Sequence, residues 1–160
     1  YYESSINPKV KNDDDLVTLE EFKKVKLNPK SFVYIHLLSV HALGKRNEEF
    51  KKFMPDKIDF KTSKKTALIN NYDNGIYQSD YIIKEIFDKL KSENKLNNTT
   101  IFILSDHGEM FGEEGRWGHG GGIHENLISI PILIYDDKFY SCLINQQLFL
   151  YLFLDVGRTL

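Results

Sequence analysis

Asp106 and His107 stand side by side where an apolar run, "TIFIL" (100–104), gives way to "SDHGEMFGEEGRWGHGGG" (105–122). A carboxylate and an imidazole are costly to desolvate without a partner, and a metal ion is one common partner. A carboxylate oxygen and a neutral imidazole nitrogen are suitable ligands for Zn²⁺, and Mn²⁺ is also feasible. Adjacent residues of a regular strand point to opposite faces, so the two side chains converge only where the backbone turns, and Gly108 suits such a turn. The competing reading makes Asp106 a turn cap and His107 a satisfied surface histidine. Glu109 either orients His107 or faces solvent.

Other histidines divide by context. His119 lies between glycines, where little packing is on offer, and His41 follows a second apolar run, "SFVYIHLLSV" (31–40). His36, inside that run, reads as a core group, and His124 as a turn or helix-cap residue. Trp117 serves either as a loop anchor or as a contact for lipid or sugar. Lys45 and Arg46 read as an exposed helix start, with attraction of an anionic substrate as the alternative.

The elements that must position these groups alternate strand with helix. "DLVTLEEFKKVKL" (15–27) has helical spacing and is stopped by Asn28-Pro29. Residues 31–40 form a continuous apolar run of the kind expected in a strand covered on both faces. A short helix is expected over 46–54, ended by Pro55. A longer one spans 66–93, with Tyr72, Ile76, Ile83, Phe87 and Leu90 close to one face. Residues 100–105 and 129–137 read as further strands, the latter beginning at Pro131 or lying near an edge. This alternation predicts an α/β fold with a mainly parallel sheet, strands near 31–38, 100–105 and 130–135, and helices on both faces. In such sheets ligands collect at the carboxyl ends of strands, where Asp106 and His107 fall and where His41 is expected to join them.

Composition narrows the class. The chain of 160 residues is 41% hydrophobic and 28% charged, enough for one buried core. A net charge of -2, from 21 basic and 23 acidic residues, gives no support for a nucleic-acid binder. Lysine clusters such as "KTSKK" (61–65) read as solvated faces. The single cysteine, Cys142, reads as a buried structural thiol and excludes both an intrachain disulfide and a thiolate-rich zinc cage. The apolar run "LFLYLFL" (148–154) is far shorter than the roughly 20 residues that span a bilayer, so it reads as a core element.

"SDHGE" after a hydrophobic strand, followed by "FGEEGRWGHG", resembles the alkaline phosphatase and sulfatase superfamily. Upstream, "FVYIHLLSVHALGKRNEEFKKFMP" (32–55) is similar to a segment of bacterial phosphoethanolamine transferases that reads strand, "HxxGSH", Arg and an "EF..F.P" run. "NNYDNGIYQSDYIIKEIFDKLK" (70–91) resembles their "NaYDNsi.YtDy" helix, and "DDDLV" (13–17) their "yDe.L". The resemblance implies a three-layer α/β/α sandwich, incomplete in this chain. It implies that Asp106 and His107 carry the metal, Zn²⁺ with Mn²⁺ or Ca²⁺ as alternatives. His41 and His119 take the part of phosphate-side catalytic histidines. The implied reaction moves phosphoethanolamine from a phospholipid donor to an envelope glycan or lipid acceptor, in the periplasm, with membrane anchoring upstream.

The motif departs from the family in places. The family's "GSH" is Ser39-Val40-His41 here, the tyrosine expected after that histidine is absent, and the "WGHGGG" ending is closer to sulfatases. The nucleophile and the acidic metal ligand of the "GE..R" motif find no match before residue 31. Residues 1–160 are therefore expected to be the C-terminal part of a sulfatase-like catalytic domain, inactive on its own. Two other readings stand beside this one: a sulfatase or phosphodiester/phosphonate hydrolase of the same superfamily, and a non-catalytic α/β binding module.

Overall fold

A computed structural model describes residues 14–42, 44–58, 65–120 and 122–137, together with the backbone of 148–154. Expectations for residues 1–13, for Lys61 and Lys64 and for Cys142 lie outside the described residues.

The first helix, α1 (Asp15–Lys24), starts at an N-cap aspartate, Asp14, whose side chain accepts from the Leu16 amide. It ends with Lys23 and Lys24 in the last turn, where the helix dipole favours cations. Strand β1 (Phe32–Leu37) follows, and the expected helix over 46–54 shrinks to a single 3₁₀ turn at Glu48–Phe50. The long helix α2 (Lys65–Ser92) leads to β2 (Thr99–Ser105). A small hairpin of β3 (Met110–Phe111) and β4 (Trp117–Gly118), a one-turn helix α3 (Glu125–Ile128), β5 (Ile132–Tyr135) and β6 (Leu148–Leu154) complete the order.

The main sheet runs β1-β6-β2-β5, with β6 parallel to both of its neighbours. The apolar run 148–154 is thus an interior strand, placed between two strands that precede it in sequence. β5 corrects the expectation of a parallel third strand: it pairs antiparallel with β2, in the register Leu104 to Ile132. The reason is the connection. Helix α2 carries the chain back across the sheet between β1 and β2, as a parallel step requires, whereas only a hairpin and one helical turn separate β2 from β5. The chain re-enters the sheet at the end where it left. As Pro131 suggested, β5 lies at an edge.

Leu19 and Phe22 of α1, Leu27, Ile35 and Leu37 of β1, Ile82, Ile86 and Leu90 of α2 and Ile101 of β2 form one buried cluster. Burying each large aliphatic side chain contributes about 1.5–3 kcal/mol. Both helices therefore cover the same face. On the other face Phe32, Tyr34 and His36 are exposed, which corrects two expectations: β1 is covered on one side here, and His36 is not a core group.

The buried stripe of α2 also differs from the expected one. It runs Gly75, Ser79, Ile82, Ile86 and Leu90 with Asn74 and Gln78 beside it, while Ile76 is 45% exposed. The C-terminal half of the helix packs on the apolar sheet. The N-terminal half packs on the polar turn after β1, which selects amide side chains rather than aliphatic ones.

Candidate metal and phosphoryl site

At the end of β2 the chain bends so that Asp106 and His107 present their side chains together. Asp106 Oδ1 accepts from the His107 amide at 2.9 Å, which holds the carboxylate over the turn. The Nδ1 of His107 lies 2.7 Å from the Gly108 carbonyl oxygen. A carbonyl only accepts, so this nitrogen carries the proton and Nε2 keeps its lone pair. That Nε2 is 3.7 Å from Asp106 Oδ2. Ligand atoms on a tetrahedral zinc at the usual bond lengths lie about 3.4 Å apart. The pair therefore has the donor types, the tautomer and nearly the spacing of two ligands to one ion. Among the described residues no group of three His, Cys, Asp or Glu side chains stands ready to surround a metal, so the fit is that of part of a ligand set.

Gly108 has a different use from the expected one. A Cβ there would sit 1.9 Å from the Asn126 carbonyl oxygen, and the Gly108 amide donates to Leu127 O at 2.8 Å. The residue is glycine because α3 presses directly on the backbone beside Asp106 and His107.

The hairpin brings His119 back to this pair. Met110 pairs with Gly118 and Phe111 with Trp117, so Glu109 and His119 are the next residues opposite each other. Their side chains face, Glu109 Oε2 lying 3.6 Å from His119 Nδ1. Burial pushes the Glu109 carboxyl up, and the imidazole beside it partly offsets this. Glu109 thus attends His119 rather than orienting His107. The rings of His107 and His119 have centroids 4.4 Å apart. Tyr72 of α2 packs edge-on against Phe111 at 5.0 Å and seats the hairpin on the helix. Trp117, at the hairpin, is 50% exposed and its ring covers Gly112.

His41 lies in the turn after β1, at the same end of the sheet, because β1 and β2 both run parallel to β6. With β6 between them, the two strands are about 10 Å apart. His41 is 6% exposed. Its turn is held by a polar network that sequence reasoning did not find. Arg46 is buried, not an exposed helix start, and donates to Val40 O at 3.0 Å and Gly44 O at 2.6 Å. Burial lowers its guanidinium to about 10, against the pull of Asp15 and Asp56. Lys45 does stay exposed, paired with Asp14. Asn74 accepts from the Phe53 amide through Oδ1 and donates to Phe53 O through Nδ2, and Gln78 accepts from the Asn47 amide at 2.8 Å. The signal available in the sequence was amide residues recurring four apart on the stripe that continues through Ile82. His124 starts α3 without a side-chain capping bond, its Nδ1 3.3 Å from Glu114.

An acid–imidazole pair with donor types suited to a metal thus stands at a strand's carboxyl end in an α/β sheet. The chain belongs to the sulfatase family: the family profile described as "Sulfatase" matches residues 1–146. Phosphoethanolamine transferase EptA of Salmonella typhimurium is 33% identical over 68% of this chain and 21% of its own length. EptA of Escherichia coli is 34% identical over 77% of this chain and 24% of its own. A third relative, the low-salt glycan biosynthesis sulfotransferase Agl7 of Haloferax volcanii, is 32% identical over 82% of this chain and 32% of its own. The chain thus spans about a quarter of the length of the EptA proteins it matches. Family membership implies an alkaline phosphatase-like α/β fold. Among the described residues no helix is long and apolar enough to cross a membrane.

Proposed function

We propose that this chain forms part of a metal-dependent transferase that moves phosphoethanolamine from a phospholipid to an envelope glycan or lipid. The observation that carries the reading is the convergence of His107 Nε2 and Asp106 Oδ2 at 3.7 Å, with the imidazole's other nitrogen tied to Gly108. These two residues would hold the ion. A divalent cation bound there, Zn²⁺ in this reading with Mn²⁺ or Ca²⁺ as alternatives, offsets charge on the phosphoryl oxygens.

The chain's other residues have separate tasks. His119, oriented by Glu109, donates a hydrogen bond to a non-bridging phosphoryl oxygen. His41, on the far side of β6, donates to a second oxygen or protonates the departing lipid oxygen. The attacking hydroxyl lies elsewhere in the protein. It forms the new phosphorus–oxygen bond while the bond to diacylglycerol breaks, and the acceptor later takes the phosphoethanolamine from it. The relatives named phosphoethanolamine transferases support phosphoethanolamine as the group moved. The complete domain is a three-layer sandwich in this reading, with the exposed face carrying Phe32 and Tyr34 covered by a second helical layer. The enzyme is anchored in the inner membrane with this domain in the periplasm.

The Agl7 relative favours a second reading, sulfuryl transfer at the same centre. One experiment decides. The protein carrying this chain is incubated with head-group-labelled phosphatidylethanolamine and a phosphorylated lipid acceptor. Mass gain of one phosphoethanolamine on the acceptor, lost in His107→Ala, is the expected result. Inertness toward this donor together with transfer from an aryl sulfate would replace the reading.

A further inference from the structure

The turn that carries His41 is gripped from two helices at once. Asp15, in the first turn of α1, is 1% exposed, yet it is a carboxylate. Its Oδ1 accepts from the Leu38 amide at 2.9 Å, and its Oδ2 accepts from both the Ser39 amide and the Ser39 hydroxyl at 2.5 Å. Ser39 is itself fully buried. Its only hydroxyl proton goes to Asp15, so its oxygen lone pairs are left to accept, and Gln78 Nε2 of α2 donates to them at 2.7 Å. Gln78 also donates to Lys45 O at 2.9 Å. From the same helix Gly75 presses against the turn, where a Cβ would lie 2.2 Å from Ser39 O. The His41 amide closes the turn on Leu38 O at 3.0 Å.

The arrangement is directional. Donors run from α2 through Ser39 to Asp15, so the carboxylate fixes both peptide planes that begin the turn and the rotamer of the side chain between them. Burying a carboxylate is expensive, and burial pushes this carboxyl up against the bonds from Leu38 and Ser39. An apolar residue at this helix position would take away the acceptor of the Leu38 amide and of the buried Ser39 amide and hydroxyl, so the carboxylate serves the fold as well. What the carboxylate adds is a fixed direction for the backbone as it leaves β1.

We propose that Asp15 is a positioning residue for His41, acting through the Leu38 and Ser39 amides and the Ser39 hydroxyl. The inference rests on the reading of His41 as a group that acts on the phosphoryl substrate. Asp15→Asn keeps the shape but turns an N–H₂ toward the Ser39 amide or the Leu38 amide, donor against donor. The turn must then shift, and displacements of this kind cost one to two orders of magnitude in rate.

The test is a double-mutant cycle in the full-length enzyme, with kcat and KM for the phospholipid donor and bound metal measured for each variant. Asp15→Asn is expected to lower kcat about tenfold or more with KM within about twofold and metal content unchanged. In a His41→Ala background the same change is expected to cost less than about twofold, because the group it positions is gone. Equal losses in both backgrounds, or wild-type kcat in Asp15→Asn while His41→Ala is impaired, would overturn the positioning role and leave the reading of His41 standing. Wild-type kcat in His41→Ala would overturn both. Should Asp15→Asn not fold, Ser39→Ala replaces it in the cycle, since it removes the hydroxyl link and leaves both amide contacts. Coupling to His41 supports the proposal, and additivity refutes it.

Discussion

The His107 and His119 rings meet with centroids 4.4 Å apart and planes tilted by 32°, although a hairpin and a 3₁₀ turn separate them in the chain. The hairpin closes through Gly112, whose φ is +99° and whose amide donates to Arg116 O at 2.8 Å. The Trp117 ring lies 2.9 Å from where a Cβ would be.

Gly112→Ala is accordingly expected to cost about 1–2 kcal/mol from the left-handed backbone alone, with displacement of Trp117 added. Hydrogen exchange at the amides of Gly112 and Met110 would accelerate, and phosphodiester turnover would fall with bound metal retained. Unchanged exchange would show that the hairpin does not depend on this glycine.

Gly75 is the second glycine on which the site depends. With Ser39 O in the way at 2.2 Å, Gly75→Ala must push α2 off the turn after β1. Overpacking of this kind costs about 1–3 kcal/mol, despite the better helix propensity of alanine. Chemical denaturation of the two proteins measures it. A stabilised variant would mean that the helix and turn are not in contact.

The alternation of apolar runs announced the α/β class, and the strand–turn boundary at Ser105 announced where Asp106 and His107 come together. Less was legible where tertiary contacts decide. β5 runs antiparallel because of the short connection that precedes it, and no local pattern in "ILIY" encodes that. The interior place of β6 depends on pairing with strands far upstream. Arg46 and Lys45 look alike in sequence, but only Arg46 finds backbone carbonyls at fork geometry and is buried. The serine at position 39 reads in sequence as a lost glycine of the family motif. In the structure its hydroxyl links α1 to α2.

Asp14 offers a pH-dependent check on the same corner. Burial raises its carboxyl, but bonds from Lys45, Asn47 and the Leu16 amide outweigh this and leave it below the ordinary value of 3.8. A carboxyl depressed in the folded state contributes stability that is present above 3.8 and is lost as the pH falls through its folded value. Asp14→Ala should cost about 1 kcal/mol at neutral pH through the lost helix cap. The gap between the two proteins should close as the pH drops below about 4. A gap that widens on acidification would contradict the assignment.

The proposed function requires that Asp106 and His107 hold a catalytic divalent ion. Equilibrium dialysis with zinc, comparing the full-length protein with the Asp106→Ala/His107→Ala variant, tests it most directly, with circular dichroism to confirm that both are folded. Removal of both donors is expected to weaken zinc binding by more than about a hundredfold, and donor turnover is expected to disappear with it. Undiminished stoichiometric zinc in a folded double variant would contradict the account.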